Sequence, residues 1–172
     1  MKKIISLTLM LIIGLTLNAQ INTNIWGLTL GKSTKQQVKS VLKKKGYQCV
    51  VTPQGNYSIN LNNTKFGGGY WSYAEFSFHK NILYNIGFLN DANRSVIDVD
   101  NMYEKVKQNL MIKYGEYYYS GYEGATPQSI AFFDKKTWIF LDLENSYPYR
   151  LVITYLNNKI GTIINDSELD EL

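Results

Sequence analysis

One segment constrains the fold more than any other: residues 70–90, with the sequence YWSYAEFSFHKNILYNIGFLN. Apolar and polar residues alternate in both halves, which is the pattern of strands with one buried face. The polar residues His79-Lys80-Asn81 separate the halves and predict a β-hairpin. An isolated hairpin is only marginally stable in water, so other elements must cover its apolar face.

The length of the hairpin loop decides which side chains share a face. A two-residue loop sets Phe76 against Asn85, which mixes apolar with polar residues. A three-residue loop over residues 79–81 brings the apolar residues of both halves together, with Asn81 in a left-handed conformation that asparagine tolerates. We therefore predict the three-residue loop, with the pairs Phe78–Ile82, Phe76–Tyr84 and Ala74–Ile86.

The other face of this hairpin is a candidate contact surface. In the predicted register Trp71 pairs with Leu89 and Tyr73 pairs with Gly87, at the end away from the loop. Exposed Trp and Tyr side chains with a polar rim are typical of protein interfaces. Alternatively, Tyr73 only shields the gap over Gly87. We predict a binding surface formed by Trp71, Tyr73 and Leu89.

The N-terminus has the pattern of a secretory signal peptide. Two lysines precede the apolar run Ile4–Leu17, and Ala19 offers a cleavage site before Gln20. An N-terminal membrane anchor is the alternative. We predict a signal peptide over residues 1–19, a periplasmic or extracellular location and no membrane span in the mature chain.

Two further residue groups are candidate binding sites. Tyr118, Tyr119 and Tyr122 lie in a glycine-rich loop, where large, stiff, amphipathic rings suit contacts with protein or sugar; filling the end of the sheet is the alternative. The second group, Lys35, Lys39 and Lys43, repeats every four residues along a predicted helix. These lysines could meet an acidic partner, or simply form a solvated helix face.

The sequence offers little for catalysis. His79 is the only histidine and Cys49 the only cysteine, so neither a metal cluster nor an internal disulfide is expected. No serine has a nucleophile-elbow context. The acid pairs Asp98/Asp100 and Asp142/Glu144 leave a glycosidase open. We predict no catalytic residue, metal or cofactor, and no nucleic-acid partner because the net charge is only +4 and the chain is exported.

Helical and strand periodicities predict an α+β fold. The first helix spans residues 34–45 with Ser33 as its cap, and the second starts near Asp98, ends at Gly115 and has the apolar positions Val99, Met102, Tyr103, Val106, Leu110 and Tyr114. Strands are expected at residues 130–133, 138–143 and 151–156.

We predict one domain over residues 20–165, with both helices on one face of an antiparallel sheet, and a frayed acidic tail over 166–172. Residues 24–92 and 96–160 each read as a helix plus a meander of strands, which suggests a duplicated unit. The turns at residues 78–81 and 133–136 match in this comparison.

The segment from Trp26 to Gly31, followed by Ser33 and a helix with Val38, Val41 and Leu42, resembles small envelope modules of the BamE/SmpA and β-lactamase-inhibitor-protein type. That resemblance implies a non-catalytic binding protein, either an assembly factor or an enzyme inhibitor. The expected partner is an envelope protein or glycan component. An enzyme acting on envelope glycan or peptide is the alternative function.

Overall fold

A computed structural model describes residues 20–90, 95–122, 124, 126, 128–144 and 149–169 of the 172-residue chain. The predicted signal peptide, residues 1–19, lies outside the described residues. None of the described helices is both long and apolar enough to cross a membrane.

The described chain contains three helices and ten strands. The helices are α1 (Lys35–Lys44), α2 (Val96–Tyr114), which continues into a short 3₁₀ turn, and α3 (Asn158–Leu169). The strands are β1 (Asn24–Ile25), β2 (Leu28–Thr29), β3 (Val50–Val51), β4 (Tyr57–Phe66), β5 (Gly69–His79), β6 (Ile82–Leu89), β7 (Tyr118–Tyr119), β8 (Ile130–Phe133), β9 (Thr137–Glu144) and β10 (Arg150–Asn157).

Eight of these strands form one antiparallel sheet in the order β3-β4-β5-β6-β10-β9-β8-β7. Each of α1 and α2 is followed by four strands, and the last strands of the two halves, β6 and β10, pair at the centre. The α+β antiparallel class is thus confirmed, whereas a duplication of sequence stays a prediction. The predicted match between the two turns was wrong. One turn joins the third and fourth strands after α1, β5 and β6, whereas the other joins the second and third strands after α2, β8 and β9.

The core lies between the sheet and the helices α1 and α2. Val38 and Leu42 of α1 are fully buried. Helix α2 buries the six apolar positions expected of it, from Val99 to Tyr114, which confirms the helical periodicity. These side chains join the buried sheet residues in one hydrophobic cluster, so a single face of the sheet carries the core.

The predicted register of the central hairpin is wrong. Its loop has two residues, Lys80 and Asn81, both with positive φ, and Phe78 pairs with Leu83. The register then shifts between Ser77 and Phe78, which leaves Tyr84 as an extra residue on β6. This β-bulge lets Leu83 and Ile86, three residues apart, both enter the core, so it removes the apolar–polar mismatch that a regular two-residue hairpin would have.

The predicted exposure of Trp71 is also wrong. Its side chain is only 1% exposed, and its indole N–H donates to the carbonyl of Phe66 at 3.0 Å. The β4–β5 register shifts between Asn60 and Thr64, at a bulge where Asn62 and Asn63 have positive φ. Bulges increase the local twist and re-aim side chains, and beyond this one Trp71 lies in the core while Tyr73 stays exposed.

Two local predictions change as well, and one small hairpin was not predicted. Thr34, not Ser33, caps α1, since Thr34 and Gln37 form the reciprocal capping box. Trp26 and Gly27, both with positive φ, form the turn of a small hairpin between β1 and β2. Residues 166–169 continue α3 instead of fraying, and the last three residues lie outside the described chain.

Candidate functional site

The sheet face opposite α1 and α2 is the largest surface with shared chemistry, and we call it the outer face. Strand alternation defines it: Ile139, Leu141 and Leu143 of β9 enter the core, so the residues between them point the other way. The pairing registers extend this face across the sheet. Its large members are Tyr73, Leu89, Trp138, Phe140, Asp142, Phe133, Val152 and Leu156, with Tyr119 at the edge.

Among the described helices, only α3 reaches the outer face, and it does so at one corner. Gly161 packs there so closely that a Cβ at this position would stand 3.1 Å from Cδ2 of Leu156. The indole N–H of Trp138 donates to Oδ1 of Asn158, the first residue of α3, at 3.0 Å. Away from this corner the large outer-face side chains are half-buried or exposed, whereas most of those on the core face are buried.

Four rings form a continuous row of contacts, here called the aromatic row: Phe133, Trp138 and Phe140 of the outer face, and Tyr122 of the loop before β8. Phe133 and Trp138 are stacked at 4.2 Å between ring centroids, and Trp138 and Phe140 at 5.4 Å. Tyr122 continues the row at 5.1 Å from Phe140, and Tyr119 contacts Trp138 edge-on at 5.3 Å. All four rings of the row are half-buried, so each presents part of its surface to solvent.

The polar atoms of the aromatic row are already paired within the chain. Besides the indole of Trp138, the Tyr122 hydroxyl donates to Oδ1 of Asp142 at 3.2 Å. Burial, followed by the charge of Asp142, raises the pKa of Tyr122 to about 12. The row therefore offers mainly ring edges and apolar carbon to a partner, and few unused hydrogen-bonding groups.

An apolar path links the aromatic row to Tyr73. Across the strands, Tyr73 pairs with Leu89, Leu89 with Val152 and Val152 with Asp142, beside Phe140. Strands lie about 4.8 Å apart, so this path spans about 14 Å. Tyr73 is 46% exposed and Tyr119 is 45% exposed, and the two lie at opposite ends of the surface that the aromatic row and this path form together.

The predicted aromatic site residues are therefore divided between two faces. Tyr73 and Leu89 lie together on the outer face as expected, although they pair directly with each other. Tyr119 and Tyr122 lie on the same face, whereas Tyr118 points to the opposite side and contacts Phe132 edge-on at 5.9 Å. Trp71 belongs to the core and is removed from the candidate site.

The lysines of α1 do not form one free basic ridge. The Lys35 ammonium donates to the carbonyl of Gly55 at 2.5 Å and lies over the rings of Tyr57 and Phe78 at 5.2 and 5.6 Å. Lys35 is thus part of the packing between α1 and the sheet. Of the three lysines predicted to form this ridge, Lys39 and Lys43 are solvent-exposed.

Sequence reasoning missed Phe133, Trp138 and Phe140 as surface residues. The signal was present in the alternation of the segment TWIFLDLE, in which every second residue is buried. The other residues of this strand include two large rings, Trp138 and Phe140. A strand that is apolar on both faces has the pattern of a fully buried strand, so its second face was not recognised as a surface.

In the described part of the chain, no group of three or more His, Cys, Asp or Glu side chains is arranged to hold a metal ion. His79 pairs with Ile82 at the end of the β5–β6 hairpin, far along the chain from the acidic pairs. Of those pairs, Glu144 accepts from Arg150 at 2.7 Å, and Asp100 accepts from Tyr149 at 2.8 Å.

Compared with known proteins, the chain matches no family model, no curated protein and no solved structure. The resemblance of its N-terminal segment to BamE-type and inhibitor-type modules therefore stays a prediction.

Proposed function

We propose that this chain is a non-catalytic binding protein of the periplasm or the extracellular space and that its outer face holds a protein of the cell envelope. The observation that carries this proposal is the continuous aromatic row beside Tyr73 and Leu89, on a sheet face that the described helices leave open except at one corner. Aromatic residues at the centre of a surface are the usual energetic anchors of protein interfaces.

The geometry of the row favours a protein over a glycan. A sugar ring binds by lying flat on a free aromatic face, but the Trp138 ring is stacked with both Phe133, at an interplanar angle of 15°, and Phe140, at 10°. Neighbouring rings therefore already cover part of its aromatic surface. Ring edges, in contrast, pack well against apolar and aromatic side chains of another protein.

Capture from an envelope extract tests this proposal with count-matched variants. We expect the double variant Tyr73→Ser/Tyr119→Ser to lose the partner protein, because both side chains are exposed members of the outer face. The control is Ile97→Ser/Ile112→Ser, which removes two exposed apolar side chains of α2, at 72% and 78% exposure.

A protein that binds the wild-type chain and the α2 control, but not the outer-face variant, would support the proposal. Equal capture by both variants would contradict it. Capture that survives protease treatment of the extract but not glycosidase treatment would show that the partner is a glycan instead.

A further inference from the structure

A basic groove lies between the N-terminal segment, the β8–β9 turn and the first turns of α3. It has a volume of about 700 Å³, within the range of roughly 300–1,000 Å³ that is usual for binding sites. Four lysines line it: Lys32, Lys135, Lys136 and Lys159.

The charge of these lysines is not compensated in the described part of the chain. None of the four takes part in an ion pair there. Asp134 also lines the groove, but its carboxylate accepts from the backbone N–H groups of Ile21, Lys136 and Thr137 at 2.7, 3.0 and 2.9 Å. One carboxylate held in this way leaves a net charge of +3 on the described residues that line the groove, counted as four lysines less Asp134.

The groove is also apolar between its lysines. Ile82, Ile160 and Ile163 line it, and Ile163 is 44% exposed. A compact inorganic anion would leave these isoleucines in water. The complementary occupant is a segment that carries several carboxylates together with apolar side chains.

The chain itself contains such a segment. Residues 166–172, DSELDEL, carry four carboxylate side chains and two leucines, which matches four lysines and an isoleucine floor. We propose that the groove binds this acidic segment from a second copy of the chain, so that the protein self-associates through α3.

Within one molecule, α3 leads the acidic segment away from the groove. Helix α3 continues from the lining residue Ile163 to Leu169, which carries the chain about 9 Å along the helix axis beyond Ile163. A second copy of the chain, in contrast, can present the same segment to the groove.

A two-fold axis lets the groove of each copy bind the acidic segment of the other copy. The middle of α3 falls between residues 163 and 164, so an antiparallel pair of α3 helices centred there sets position 159 of one copy level with position 168 of the other. Each basic groove then faces one acidic helix end. Such an interface is closed and self-complementary, which limits the assembly to a dimer.

Sedimentation velocity on the chain as recovered after expression tests this proposal. We expect a monomer–dimer equilibrium that weakens in 1 M salt, where the Debye length falls to about 3 Å. Lys135→Gln/Lys136→Gln in the groove and Glu168→Gln/Asp170→Asn in the acidic segment should each weaken the dimer at least tenfold. Lys39→Gln/Lys43→Gln on α1 makes the same change in net charge as the groove variant and should have no effect.

A charge reversal tests the pairing itself. Lys159→Glu alone and Glu168→Lys alone should each weaken the dimer, and the chain with both changes should recover it, because each copy then presents the opposite pair of charges. A chain that remains monomeric at all concentrations would overturn the proposal, as would a dimer that the groove variant and the α1 control affect equally.

Discussion

Phe88 is a core residue whose truncation should strongly lower the free energy of unfolding. Its ring is fully buried at the centre of the sheet and contacts four other rings: Trp26, Phe66, Trp71 and Tyr155, with centroid distances from 4.6 to 6.4 Å. Phe→Ala substitutions in a core cost about 3–5 kcal/mol, through lost transfer energy and the cavity left behind. Because four aromatic neighbours lose their contact, we expect Phe88→Ala to fall at the upper end of that range.

The matched control is Phe140→Ala, which removes the same side chain from the outer face. Phe140 is half-buried, so part of its ring is already hydrated in the folded protein. We expect a loss of about 1–2 kcal/mol, since burying a whole Phe side chain is worth about 1.5–3 kcal/mol.

Urea unfolding measures both variants. With slopes of about 1–3 kcal/mol per M, the midpoint should fall by roughly 2 M for Phe88→Ala and by less than about 1 M for Phe140→Ala. Fluorescence reports Trp26 and Trp71 beside Phe88, and circular dichroism should give the same midpoint if unfolding is two-state. Equal losses for the two variants would refute the view that one face of the sheet carries the core.

Three further changes probe other contacts. Lys35→Met should lower the free energy of unfolding by about 1–2 kcal/mol, since it removes the hydrogen bond to the β3–β4 turn, whereas Lys39→Met on the same helix should be neutral in urea unfolding. Gly68→Ala should lower the melting temperature, because φ is +92° and a Cβ would stand 2.5 Å from the Asn109 side chain. Gly87→Ala is the control: its Cβ would stand 4.0 Å from the nearest side chain, so the melting temperature should not fall. Burial raises the pKa of Tyr103 from 10.0 to about 12. Between about pH 10 and pH 12 the unfolded chain loses this proton first, so the free energy of unfolding should fall as the pH rises. Urea titrations of Tyr103→Phe should show a smaller fall of the free energy of unfolding over the same pH range.

Helix α2 was readable from sequence because its signal is local. Six apolar residues at helical spacing define the buried stripe without reference to any other element, and all six are buried. Strand β8 likewise begins and ends at the expected residues, Ile130 and Phe133. Periodicity of this kind depends only on which face of one element meets the core.

Features that depend on two elements at once were not readable. The bulge at Tyr84 removes a mismatch between the two-residue loop and the alternation of apolar residues in β5 and β6. The pattern of one strand alone does not show at which residue such a bulge occurs. The position of Trp71 depends in the same way on the bulge in the neighbouring strand β4. Since the candidate site was built on that register, it kept Tyr73 and Leu89 but lost Trp71.

The aromatic row was missed for a related reason. Its rings come from β8, β9 and the loop before β8, which the sequence presents as separate segments. Only the pairing of β8 with β9, in which Phe133 lies opposite Trp138, brings them together. The end of α3 was not predicted either, since the acidic composition of residues 166–172 favoured a tail, whereas the helix continues to Leu169.

Site-specific photo-crosslinking in the envelope shows whether the outer face binds a protein partner. A photoreactive amino acid replaces either Tyr73 or Tyr119 on the outer face, or Ile97 or Ile112 on α2, which are exposed apolar controls. We expect both outer-face positions to give a discrete, protease-sensitive adduct with the same partner protein and the α2 positions to give none. Adducts formed only from the α2 positions, or equally from both surfaces, would contradict it.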